Sequence, residues 1–195
     1  MKIPFRSFAG ALLLAASFYS CSPAKATPPP QPLERIIFIE KSSHTLLLYK
    51  GRGGEWELEK RYAVGVGRMP GDKQYEGDCR TPDGDYFITG KMYDRSYRWP
   101  GDDMLNQLNE LMNGAYGSAA FVLNYPNDED IAQGKTGSNI WLHGTRQPWM
   151  VGKDSSRGCA ILRDEDVRDL DSRVGLGTPV KIREKLVFVE NVTTK

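Results

Sequence analysis

The chain has 195 residues, 39% of them hydrophobic and 26% charged, which fits one globular domain and excludes a disordered or collagen-like chain. With 26 Lys and Arg against 25 Asp and Glu the formal charge is +1, so composition gives no reason to expect nucleic acid as a partner. Three cysteines and two histidines leave little room for a four-ligand zinc cage, and any histidine chemistry rests on His44 or His143.

The first 26 residues read as an export signal. Lys2 and Arg6 form a positive start, and Phe8 to Tyr19 is an apolar stretch too short to span a bilayer comfortably. Ala24-Lys25-Ala26 is an A-x-A cleavage site. The alternative exit is Ser20-Cys21-Ser22 as a lipoprotein junction with a lipid on Cys21, although Phe18 and Tyr19 suit that junction poorly. An uncleaved anchor is the third option. Cleavage or lipidation implies the periplasm or cell envelope of a bacterium, with membrane contact only through the signal or the Cys21 lipid. Residues 27–32 (TPPPQP) form a proline-rich linker, and a single domain is expected over residues 33–195, as a monomer.

Short strands come next. Arg35 to Glu40, Thr45 to Tyr49, Trp56 to Val66 and Tyr86 to Thr89 are apolar or alternating runs separated by turn residues. Asp102 and Asp103 suit the cap of a helix with Met104, Leu105, Leu108, Leu111 and Met112 at helical spacing, stopped by Asn113-Gly114. Phe121 to Tyr125 and Ile140 to His143 return to strand. Asp164 is the expected cap of a second short helix with Val167, Leu170 and Val174 inward, and Thr178 to Ile182 and Leu186 to Val189 close the domain as strands. The expected fold is mostly β, a sandwich or barrel with two or so short helices. Residues 91–138 are long enough to contribute a segment that covers a cleft, with plain packing as the alternative.

Chemistry concentrates between Asn139 and Leu170. His143 ends an apolar strand before Gly144-Thr145, and Cys159 follows 16 residues later in Ser155-Ser156-Arg157-Gly158-Cys159. A nucleophilic thiol needs a base, and imidazole has the right proton affinity. Gly158 lets the backbone turn so that its amide can face a developing oxyanion, and Arg157 puts a fixed charge beside the thiol that is expected to lower its pKa. The plain alternative is an inert core cysteine and a structural histidine.

These residues resemble the L,D-transpeptidase catalytic domain family of the YkuD type. The resemblance rests on three blocks in order: Gly77-Asp78-Cys79-Arg80-Thr81-Pro82-Asp83-Gly84-Asp85-Tyr86, then His143-Gly144 with Ser156-Arg157-Gly158-Cys159, then Gly177-Thr178-Pro179-Val180. It implies a β-sandwich-like or barrel-like domain with the cysteine in a cleft under a flap. It implies that Cys159 attacks the bond between the L-centre of diaminopimelate and D-alanine in a peptidoglycan stem peptide. His143 would take the thiol proton, the Gly144 carbonyl would orient the imidazole, and the Gly158 amide would hold the oxyanion. Ser156, Thr145, Arg157 and Arg163 are the candidates for substrate contact. No metal or organic cofactor is implied.

The chain departs from the family pattern twice. The motif histidine two residues before the cysteine is Arg157, and the arginine two residues after it is Ile161. The acyl acceptor therefore stays open between an amine, giving transpeptidation, and water, giving an L,D-carboxypeptidase or the release of peptidoglycan-linked protein. A sortase-like enzyme would leave the Thr-Pro-x-Gly block unexplained, and a peptidoglycan-binding protein without catalysis is the third class. If His143 is the base, activity is expected to fall below about pH 6. His44 and Cys79 read as structural, with Cys79 a free thiol. Trp141 and Trp149 suit either a peptide cleft or the core. Asn191-Val192-Thr193 is a formal sequon of no weight in a bacterial protein.

Overall fold

The structure, a computed structural model, describes residues 34–98 and 101–186. The export signal, Cys21, the proline-rich linker, Trp99, the sequon and the closing strand beyond Leu186 lie outside the described residues.

Among the described residues there are ten strands and three α-helices: β1 Glu34–Glu40, β2 Thr45–Arg52, β3 Glu55–Ala63, β4 Val66–Gly67, β5 Gly84–Tyr93, α1 Asp103–Leu111, β6 Ala119–Leu123, α2 Asp128–Ala132, β7 Trp141–His143, β8 Asp154–Ser156, β9 Ala160–Ile161, α3 Asp164–Asp171 and β10 Pro179–Arg183. The barrel-like expectation fits better than the sandwich. One eight-stranded sheet runs β3-β2-β1-β10-β5-β6-β7-β9, and β4 and β8 form a small parallel pair beside it. Gly65, just past β3, exchanges two 2.8 Å backbone hydrogen bonds with Ile161 of β9. Because β3 and β9 stand at opposite ends of the strand order, this bridge curls the sheet back towards itself.

Alternation along the strands explains the core. Ile37, Ile39, Leu46, Leu48, Tyr86, Ile88, Val180 and Ile182 point to one face, where α3 lays Val167 and Leu170 against them. A second cluster on the other face joins Leu105 of α1 to Ala120 and Trp141, with Tyr116 and Cys159 packed against it. Asp102 caps α1 through a bond from Leu105 N, as expected. Asp164 does not cap α3. That place belongs to Arg163, while the Asp164 carboxylate accepts from Ser118 N at 2.5 Å and Ser118 Oγ at 2.6 Å. The third helix, α2, was not anticipated; a reciprocal Asn127–Asp130 capping box starts it. Among the described residues no helix is long and apolar enough to cross a membrane.

Candidate active site

Parallel pairing of β7 with β9 sets the site. Leu142 stands opposite Ala160 and His143 opposite Ile161. Leu142 and Ala160 face the main core. Side chains alternate along a strand, so Trp141, His143 and Cys159 turn to the other face. There they meet a cleft of about 280 Å³ lined by Arg68, Met112, Tyr116, His143, Arg157 and Cys159, among others. The segment between β5 and β6 supplies Met112, Ala115 and Tyr116 as one wall. Trp149 is 62% exposed and lines the cleft, whereas Trp141 is buried in the second cluster.

His143 is 3% exposed, and its Nδ1 lies 2.7 Å from the Gly144 carbonyl oxygen. A carbonyl only accepts, so Nδ1 carries the proton and Nε2 keeps its lone pair. Burial pushes the imidazole pKa down to about 4, so the ring is neutral and able to accept a proton at physiological pH. The Tyr116 ring covers it, with centroids 4.9 Å apart.

Cys159 is half-buried, and its Sγ donates to the Asn139 carbonyl at 3.5 Å. Burial pushes the thiol up to about 11, against a backbone hydrogen bond from Trp141 and the field of Lys73. This reverses the expectation that Arg157 lowers it: the cation that favours thiolate is Lys73, itself buried and 2.8 Å from Asp78. Burial raises Asp78, but bonds from Lys73 and from the backbone of Gln74, Arg80 and Tyr75 hold it at about 2. Burial thus favours a neutral thiol and a neutral imidazole in the resting site.

The turn ahead of Cys159 is fixed by two hydroxyls. Gly158 has φ 137°, and a Cβ there would lie 2.9 Å from the Arg80 carbonyl oxygen. Ser156 Oγ accepts from Gly158 N at 2.9 Å and donates to Cys159 O at 2.7 Å. The Gly158 amide expected to face an oxyanion is therefore already engaged by Ser156. Thr81 Oγ1 donates to Gly158 O at 2.9 Å and accepts from Gly67 N at 2.8 Å. Neither Thr81 nor Tyr116 was singled out as a site residue. The Thr-Pro-x-Gly block was the signal for Thr81, and nothing in the sequence distinguishes Tyr116 from other tyrosines.

Thr145 and Arg163 are not brought into this cleft. They line a separate depression with Arg146, Pro148, Asp164 and Glu165. Arg157 is exposed on the cleft rim. His44 sits elsewhere, 2.9 Å from Asp154. Cys79 and Cys159 are both free thiols. A larger open depression of about 820 Å³, reaching from Asp94 and Glu110 to Trp149, contains neither His143 nor Cys159, so chemistry and not size identifies the site. Among the described residues no three His, Cys, Asp or Glu side chains gather as metal ligands would.

The sequence model of the L,D-transpeptidase catalytic domain, YkuD, matches residues 34–182. The solved structure of Bd1075 from Bdellovibrio bacteriovorus is 27% identical, with TM-score 0.61 over 81% of this chain and 50% of that one. That of Pgp2, the helical cell shape determining protein from Campylobacter jejuni, is 27% identical, with TM-score 0.63 over 81% of this chain and 50% of that one. The chain spans about half the length of these structures. Comparison with curated proteins gives no match.

Proposed function

The chain belongs to the L,D-transpeptidase catalytic domain family, and from that membership we propose that it is a cysteine acyltransferase of peptidoglycan stem peptides. The observation that carries the reading is the imidazole of His143, held by Gly144 with Nε2 free, in one cleft with the Cys159 thiol. His143 Nε2 takes the thiol proton as Sγ bonds to the carbonyl carbon at the L-centre of diaminopimelate. The tetrahedral adduct collapses, the bond to D-alanine breaks, and the imidazolium returns its proton to the leaving amine. A thioester on Cys159 remains. An amine acceptor then attacks it, loses a proton to His143 and restores the thiol.

Water as acceptor is the second reading. It is favoured by a cleft of about 280 Å³ walled by Met112, Tyr116, Trp149 and Met150, a size that suits one peptide end better than two. The Pgp2 likeness adds a role in cell shape to either reading. Stem peptides lie outside the cytoplasmic membrane, so the reading carries an envelope location with it. The test is mass spectrometry of diaminopimelate-containing disaccharide tetrapeptides incubated with the protein and with Cys159→Ala. A dimer lacking one D-alanine supports transpeptidation, and a tripeptide supports hydrolysis. Unchanged substrate with both proteins would sink the acyl-transfer reading and leave a binding role.

A further inference from the structure

The second arginine on the cleft calls for an explanation. Gly67 of β4 pairs with Ser156 of β8 in a parallel register, and Arg68 N donates to Ser156 O at 3.0 Å. The residue that follows each strand is an arginine, Arg68 after β4 and Arg157 after β8. Both side chains are exposed and both line the cleft that holds Cys159. Like charges side by side across a strand pair destabilise it. Neither guanidinium is relieved of this: among the described residues neither forms an ion pair, and Arg68 donates instead to Cys79 Sγ at 3.2 Å. No Asp or Glu lines the cleft. At the position where the family carries its motif arginine, the chain has Ile161, which is 1% exposed and apolar. The cleft therefore holds two unneutralised, fork-shaped cations over a neutral imidazole, an arrangement made for anions and for planar carboxylates above all.

We propose that Arg68 is a substrate-specificity residue that, beside Arg157, binds a second carboxylate, so that the cleft selects a peptide end bearing two of them. This inference rests on the reading of the cleft as a stem-peptide site and names what that site recognises. The stem end offers two carboxylates: that of the terminal D-alanine and that on the side chain of diaminopimelate. One guanidinium takes each.

The test separates this clamp from catalysis by measuring binding to the Cys159→Ala protein by calorimetry. Three tetrapeptides are compared: one with both carboxylates free, one amidated on the diaminopimelate side chain, and one ending in D-alaninamide. They are titrated into Cys159→Ala alone and with Arg68→Gln, Arg68→Lys or Arg157→Gln. Each amide is expected to weaken binding tenfold or more. Arg68→Gln should remove the response to one amide and Arg157→Gln the response to the other, with Arg68→Lys intermediate because it keeps charge but not the fork. Unaltered responses to both amides in Arg68→Gln would overturn the proposal, as would failure of the doubly free peptide to bind. Turnover of the same peptides by the unsubstituted protein reports on acyl transfer separately. Binding with a working clamp but no turnover would count against the acyl-transfer reading alone.

Discussion

Thr81 joins three pieces of chain with one hydroxyl. It donates to the carbonyl of Gly158, accepts from the amide of Gly67, and is 1% exposed. Thr81→Val keeps the shape and leaves both backbone groups buried without a partner, at about 1–3 kcal/mol each. The expected outcome is a lower melting temperature together with a fall in kcat, since the loosened turn is the one that presents Cys159; Thr81→Ser should restore most of both. A variant as active and as stable as the parent would show that the hydroxyl does not hold the turn. The acid limb of the activity belongs to this scale too. The sequence places it below about pH 6, the ordinary imidazole range. Burial of His143 moves its pKa to about 4. Protonation fills Nε2 and removes the base, so kcat/KM should hold between pH 7 and 5 and fall through about pH 4. A limb centred between pH 6 and 7 would show that the imidazole is wetter than the structure has it. That Cys159 and His143 meet in one cleft was legible from residue type and order together with the family resemblance. The state of the pair was not, because burial sets it and neighbours in sequence do not reveal burial.

At the scale of elements, the wall over His143 hangs on α1. Buried Asn109 donates through Nδ2 to Asp94 at 3.0 Å and to Gly117 O at 2.7 Å, and its Oδ1 accepts from Tyr116 N at 3.0 Å. One side chain thus ties the helix to both ends of the segment that carries Tyr116. Asn109→Ala strands three polar groups and is expected to cost roughly 2–4 kcal/mol, at the upper end for a single buried amide. It should also loosen Tyr116 over the imidazole, raising KM more than it lowers kcat. Denaturant titration and steady-state kinetics on one preparation check both halves; a stability loss without a change in KM would reduce the wall to a structural prop. The sequence revealed α1 because its apolar positions repeat at helical spacing after a capping aspartate. It hid α2, whose five residues are too few to show a period. It misread the start of α3, because Asp164 looks like a cap but spends its carboxylate on Ser118. Long-range partners decide such cases, and a local pattern does not contain them.

Across the whole molecule the same buried histidine couples the reaction to the fold. Its pKa drops from an ordinary 6.5 in the unfolded chain to about 4 in the native state. The unfolded chain therefore binds the proton first, and the stability this group contributes is complete above pH 6.5 and lost as pH falls towards 4. The shift corresponds to about 3 kcal/mol, a large part of the stability of a domain this size. Depressed carboxylates extend the loss to lower pH. Asp78, held at about 2, keeps its contribution above the ordinary aspartate range and surrenders it between there and pH 2. Asp171 is shifted in the same direction: burial raises it, but bonds from Lys91, Tyr93 and Tyr97 outweigh that. Two stages of acid weakening should follow, and the first belongs to His143. Urea unfolding midpoints measured from pH 7 to 5 are expected to fall for the parent protein, while His143→Gln, which has no proton to gain there, should hold nearly level over that window, and below it both decline together as the carboxylates protonate. Parallel curves for the two proteins would place the first stage elsewhere and would remove the physical basis for a neutral resting base. The coupling follows from the register of β7 on β9: the strand end that places the imidazole in one cleft with Cys159 also shuts it away from water, so the group proposed to accept a proton in turnover is one the fold tolerates poorly when charged.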